Sequence, residues 1–169
     1  MPKFIAISGP IVADTVYVDN SLVARDVSAT LPEVTPTTVD VQALGTMSLP
    51  VWQLIENLEM AITKIGIDMG LRSMIQPKPL GLELRGVQTV TDAGGNTSNQ
   101  GIKASCRGIP NKIPEIGFEI GSAPESECTF MLTRYQLIVD GAEMFLIDRL
   151  AGILRIAGVD YAAALNNLL

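Results

Sequence analysis

The sequence contains no histidine. That removes the usual general base, the commonest metal ligand and the ordinary catalytic triads together. Cysteine is nearly absent as well. Cys106 and Cys128 are too few for a disulfide framework or a four-ligand zinc site, so reduced thiols and a cytoplasmic folding compartment are expected. Aromatic residues make up only 5% of the chain, which argues against stacking platforms for single-stranded nucleic acid. Basic charge is short too. Twelve Lys and Arg against eighteen Asp and Glu leave a net charge of −6, which excludes a tight electrostatic grip on nucleic acid. A passive surface that nucleic acid slides past stays open. No run approaches the ~18 consecutive apolar residues of a membrane span, so the subunit itself is not expected to insert in a membrane. The opening MPKFIAISGPIVAD has one Lys and an apolar run broken by Gly9-Pro10 and Asp14, and does not read as a secretory signal.

Each local pattern that suggests chemistry fails on inspection. Cys106 sits between Lys103 and Arg107, which could activate a thiol, but with no histidine it reads as a structural strand cysteine. Gly95–Gly101 has the wrong spacing for a phosphate loop and lacks the Lys-Ser/Thr pair. Asp92, Gly94, Asn96 and Ser98 resemble a calcium loop, but no Glu follows at the required offset. Asp140, Glu143 and Asp148 are the densest acids near the C-terminal hairpin, and they read as a turn residue and exposed strand acids. Asn96-Thr97-Ser98 fits a glycosylation sequon that has no secretory route to use it. No catalytic residue, cofactor or metal is expected, and the chain is not read as an enzyme.

What is present is apolar surface. Hydrophobic residues are 47% of the chain and mean hydropathy is +0.32, a surplus best placed in subunit interfaces, which resemble a core cut in half. Thr15–Val18, Asp19-Asn20 and Leu22–Val27 read as a first hairpin. Pro32 confines Ser28–Val34 to a sheet edge or strand start. Thr35–Gln42 alternates Thr37, Val39 and Val41 against Thr38, Asp40 and Gln42, and predicts a protruding arm over residues 35–50. Pro50–Gly66 supports two readings. Trp52, Ile55, Leu58, Ala61 and Ile62 fall at near-helical spacing, while Leu58, Met60, Ile62 and Lys64 alternate as a strand. Met69–Ile75 reads as a short helix stopped by Pro77 and Pro79.

Further on, Leu80–Val90 alternates as a strand, Asp92–Gly101 reads as a hairpin tip or mobile loop, and Ile102–Ile109 as the return strand. Pro110–Glu127 reads as loop. Phe130–Val139 is a strand that turns at Asp140-Gly141, a strong hairpin signal, into Glu143–Asp148. Leu150–Ile156 is a further apolar segment, and Tyr161–Leu169 an Ala-rich helical tail with no charge after Asp160. Termini this apolar normally dock on something. The pattern predicts one mainly-β domain over 1–169, a small antiparallel β-barrel or sandwich with one or two short flanking helices.

The C-terminal hairpin carries a resemblance. Tyr135, Asp140-Gly141-Ala142-Glu143, Ile147-Asp148 and Gly158-Val159-Asp160 resemble the closing signature of major tail tube proteins of contractile-tailed bacteriophages and of R-type pyocin tubes. VYVDN (Val16–Asn20) and TLPEV (Thr30–Val34) are similar to the family's first hairpin and Thr-Leu-Pro segment. Gly45-x-Met47, Pro50-Val51 and Leu58-Glu59 follow its arm and next strand, and Arg107-Gly108 with Lys112 follow its element after the Asn/Gly-rich tip. The chain departs from the pattern at Ala151 and Ala157, where Asn is usual, and at the apolar Trp52–Ile55. The likeness tilts Leu58–Gly66 toward strand.

The resemblance implies six copies closed head-to-tail into a ring. It implies rings stacked as the tube inside a contractile sheath, with baseplate and tape-measure proteins as further partners. It implies a virion component assembled in the bacterial cytoplasm, through whose lumen DNA passes without specific binding. A DNA-free device, such as an R-type bacteriocin or a type VI secretion inner tube, is the variant reading; a monomeric ligand-binding barrel is the reading of another class. Val39, Val41, Met47, Leu165, Leu168 and Leu169 are expected to make inter-subunit contacts. Glu56, Glu59, Glu83, Asp92 and Glu119 are expected to supply lumen-facing acids.

Overall fold

The computed structural model describes residues 6–169. Strand β1 (Ile7–Val18) turns at Asp19-Asn20 into β2 (Ser21–Arg25), with both turn residues at positive φ. Asp and Asn tolerate that region, and such a turn matches the twist of its flanking strands. Asp19 also anchors the hairpin: its N–H donates to Gly81 O at 2.8 Å and its Oδ1 accepts from Gly81 N–H at 2.9 Å. β3 (Ser28–Thr30) follows, then the hairpin β4 (Pro36–Gln42) and β5 (Thr46–Ile55), which forms a two-stranded sheet of its own. After β6 (Leu58–Ile65) and helix α1 (Met69–Met74) come β7 (Leu80–Thr91), β8 (Thr97–Pro110), β9 (Glu125–Val139), β10 (Ala142–Asp148), β11 (Ile153–Ile156) and β12 (Val159–Asp160). Helix α2 (Ala163–Asn166) ends the chain. All pairings are antiparallel, and the large sheet runs β12-β11-β10-β9-β8-β7-β1-β2 with β6 and β3 branching from β9.

The large sheet is organised by β9. Its first half pairs with β6 and its second with β10 along the same edge, while β8 covers the other edge. The change of partner coincides with a bulge. Arg107 faces Arg134 and Gly108 faces Leu132, so Thr133 is the extra residue. The bulge flips the inward parity from Ser126, Cys128, Phe130 and Leu132 to Tyr135. Gly108 has to be glycine here. A Cβ would lie 2.6 Å from Leu132 Cδ2 and 3.0 Å from Met131 O.

Val16, Leu58, Met60, Ile62, Met74, Leu80, Phe130 and Ile147, from five strands and α1, share one core cluster, so the sheet coils around a single interior. At one end of that interior lies Lys64, only 7% exposed, whose Nζ meets Asp68 Oδ2 at 2.6 Å. Asp68 is also the N-cap of α1, accepting from Leu71 N–H at 3.1 Å. The hydrogen bond from Lys64, then that from Leu71, hold its carboxyl below the ordinary value. A lowered folded pKa means the charged form is favoured in the fold. The pair therefore contributes stability above the unfolded pKa and loses it as pH falls through the folded value. The stability gap between wild type and Asp68→Asn should accordingly be present at neutral pH and close in acid. A gap independent of pH would remove the ion pair from the account.

Both cysteines are buried and free. Burial pushes the Cys106 thiol up to about 12 and also raises Cys128. Tyr135, the cross-strand partner of Cys106, is raised by burial too and stacks edge-on against Phe145 at 4.8 Å. Lys103 and Arg107 are on the opposite side of β8 from Cys106, so neither activates the thiol, and Cys106 is the structural strand cysteine the sequence suggests. Native protein should leave both thiols unreacted with a thiol reagent at mildly alkaline pH, and denaturant should release two.

The helical spacing in Pro50–Gly66 is not realised. The stretch is two strands broken at Glu56-Asn57, and Pro50 sits in a hairpin strand with a free edge, where a missing N–H costs least. The arm hairpin accordingly extends to Ile55, past Pro50. Asp92–Gly101 holds the tip of the β7–β8 hairpin in its first half, Asp92–Asn96, and strand in its second, since pairing resumes at Thr97.

Candidate assembly interface

The hairpin β4–β5 has one apolar face. Val39 stands opposite Leu49 and Val41 opposite Met47, while Asp40 with Ser48 and Gln42 with Thr46 hydrogen-bond across the other face. The four apolar residues are each 40–46% exposed, and Leu44 at the tip is fully exposed. Neither strand pairs with the large sheet. A lone two-stranded hairpin is marginal in water, so this ladder needs a cover that its own chain does not supply. Only the root of the arm is fixed. Glu56 N–H donates to Thr35 O at 2.9 Å, and Arg149 Nη2 donates to the carbonyls of both Ile55 and Glu56. Arg149 in turn is set by its N–H, which donates to the bulge carbonyl of Thr133 at 3.1 Å. The bulge in β9 thus aims the arm.

Beside that root lies a groove of about 320 Å³ between β5 and the C-terminal segment, lined by Trp52, Leu54, Ile55, Leu154, Ala162 and Leu165. Asn166 closes it, donating from Nδ2 to Gly152 O at 2.8 Å. Helix α2 is four residues long and wholly exposed, and Leu168 and Leu169 beyond it project into solvent. The contact residues expected from sequence therefore fall in two places. Val39, Val41 and Met47 share the arm's face; Leu165, Leu168 and Leu169 flank the groove.

The segment Asn111–Pro124 between β8 and β9 carries a surface the sequence reading passed over as loop. Ile113 is 73% exposed, and Phe118 and Ile120 are essentially fully exposed. The signal was available in the letters, since Ile116, Phe118 and Ile120 alternate with Gly117 and Glu119 as a strand would.

The five candidate lumen acids are dispersed. Glu56 is exposed at the root of the arm and Glu59 points outward from β6. Asp92 caps the β7–β8 turn, where hydrogen bonds from Asn96 above all hold its carboxyl below the ordinary value. Glu119 is exposed between Phe118 and Ile120. Glu83 differs from these. Burial alone would raise it, but hydrogen bonds from Arg85 and Lys103 outweigh burial and hold it low. It belongs to a ladder across the outer side of β7–β11. There Arg134 lies 3.8 Å from Asp148, and Arg155 Nε lies 2.7 Å from Glu143 Oε1 but off the line of a hydrogen bond. Leu146, flanked by Gln136 and Arg155, is buried beneath these long side chains.

Among the described residues no group of His, Cys, Asp or Glu could hold a metal ion. An antiparallel β-fold that leaves an apolar arm, groove and loop uncovered has the form of a structural subunit. The sequence model of the family described as Phage tail tube protein FII matches residues 11–169, and the chain belongs to that family. It is thus a structural tail tube protein, a component of a tail particle and not an enzyme. Among solved structures it is similar to a chain of the PVC sheath-tube complex of an extracellular contractile injection system in its extended state. The TM-score is 0.52 at 14% identity, over 77% of this chain and 90% of that one. It is similar also to a chain of the PVC sheath/tube terminator in the extended state, with a TM-score of 0.52 at 14% identity over 76% and 95%. No curated protein matches it in sequence.

Proposed function

We propose that six copies of this chain, as one domain whose arm, expected over 35–50, is the longer hairpin Pro36–Ile55 and whose tail is 161–169, close head-to-tail into a ring. Rings then stack into the inner tube of a contractile phage tail. The observation that carries this reading is the arm, an exposed apolar hairpin face held rigidly at its root. Head-to-tail closure requires two different patches on each subunit, and the arm and groove are one such set. Val39, Val41, Met47, Leu165, Leu168 and Leu169 serve as inter-subunit contacts. In the ring, neighbouring subunits also cover sheet edges that would otherwise invite aggregation.

The tube works inside a sheath and on a baseplate, its length set by a tape-measure protein, after assembly in the bacterial cytoplasm. DNA passes through it during ejection. Glu56, Glu59, Asp92 and Glu119 offer the lumen carboxylates that keep a phosphate backbone moving, whereas Glu83 contributes less field because two cations neutralise it. The variant reading, a DNA-free contractile device, is favoured by the likeness to chains from an extracellular contractile injection system.

Negative-stain electron microscopy at high protein concentration, beside light scattering, tests the proposal. Rings with sixfold symmetry or hollow tubes are the expected result. A monomer that stays monodisperse alone and together with baseplate components would overturn it.

A further inference from the structure

The loop Asn111–Pro124 and the groove at the root of the arm fit each other as two halves of one contact between copies, and this inference rests on the tube reading above. We infer that Phe118 and Ile120 of one copy seat in the groove formed by Trp52, Leu54, Ile55, Leu154, Ala162 and Leu165 of the next, with Glu119 beside Arg149.

Charge selects this groove over the larger one. A second apolar groove, of about 520 Å³, lies between β1 and the segment Asp26–Leu31, but Asp14 and Asp26 line it. The loop brings Glu115 and Glu119, both exposed, so that groove would set carboxylate against carboxylate. The groove at the arm root carries a cation, Arg149, beside its one acid, Asp148, and that carboxylate already accepts from the N–H groups of Leu150 and Ala151 and lies 3.8 Å from Arg134. Arg149 spends only Nη2 on the carbonyls of Ile55 and Glu56, which leaves Nε and Nη1 for an incoming carboxylate.

Position selects a second copy as the occupant. The loop ends where β9 begins, at Glu125, and the groove opens beside the β9 bulge next to Leu132. The loop's first residue, Asn111, donates its N–H to Thr129 O at 3.2 Å, yet Phe118 and Ile120 stand essentially fully exposed outside their own chain's groove, which leaves that groove for another copy. Two complementary patches at separate places on one chain make a heterologous contact, which propagates instead of stopping at a pair. The loop's backbone is also largely unpaired, so it is free to settle in a groove without breaking a sheet.

Cysteine cross-linking tests this, because the native thiols are buried and stay silent. Phe118→Cys and Leu165→Cys are made singly and together in the full chain, concentrated under assembly conditions, and treated with a short bis-maleimide. The double variant should give a ladder of covalent dimers, trimers and higher species, and a mixture of the two single variants should stop at dimers. A control pair of Ile7→Cys with Leu165→Cys should give no ladder. Tubes visible by electron microscopy with no ladder from the double variant would overturn the groove contact and leave the tube reading standing. Dispersed monomer with neither tubes nor ladder, for wild type as well, would overturn both.

Discussion

Replacing Val39 and Val41 together with aspartate should abolish tube and ring formation while leaving the circular dichroism of the monomer nearly unchanged. Both valines share the exposed face of the arm, and their cross-strand neighbours are Leu49 and Met47 of the same hairpin. Within the monomer the substitution loses cross-strand contacts worth roughly 0.2–1 kcal/mol each. In an interface each aspartate becomes a desolvated charge without a partner, at about 3–5 kcal/mol, and the cost recurs at every contact around a ring. Asp40 already points to the opposite face, so the altered strand would carry three successive carboxylates and its tip would fray. The pair Val39→Thr and Val41→Thr separates the two effects. Threonine keeps the strand propensity and removes only apolar surface, so assembly should weaken without being lost. Unfolding of the aspartate monomer would instead place these valines in the core and remove the arm from the interface.

Much of the fold was legible because its punctuation is local. Asp19-Asn20 and Asp140-Gly141 each adopt positive φ at both turn positions, so the hairpins they close could be read from two letters each. The arm was legible as alternation. Its true extent was not, because Pro50 looks like a boundary until the partner strand is seen to lack a further neighbour. Pro50–Gly66 was ambiguous for a related reason: apolar residues bordering the break at Glu56-Asn57 mimic helical spacing, and only pairing with β9 decides the matter. The assembly surface was half legible. Leu165, Leu168 and Leu169 stand out as an apolar end, but the groove they flank joins residues about a hundred positions apart, which no window along the chain can connect. The role of Glu83 was hidden in the same way, since Lys103 reaches it from another strand. Arg149 carries no sequence signal at all. Its importance comes from the bulge at Thr133, which leaves a gap beside β9 for the arm to leave through.

Phe130→Ala should be the most damaging single change to the subunit itself. Phe130 is fully buried on β9, with Met60 of β6 on one side and Pro110 of β8 on the other. Gly108 presses against it as well: a Cβ there would stand 3.4 Å from Phe130 Cβ. A ring held between two paired strands leaves a cavity that the backbone cannot close, so the loss should reach about 3–5 kcal/mol. Against a total of about 5–15 kcal/mol, that is enough to unfold a marginal subunit near body temperature. The urea midpoint of the dilute monomer should fall with little change in slope, since the surface exposed on unfolding is nearly the same. A loss under about 1 kcal/mol would mean that the site collapses freely, contrary to its strand-locked position. Assembly should mask part of the defect, because tube contacts bind the folded state alone and stabilise it by mass action. The same substitution measured in assembled material should therefore appear milder than in dilute monomer, and the difference should grow with protein concentration. Equal losses in both preparations would mean that tube contacts add nothing to the folded state.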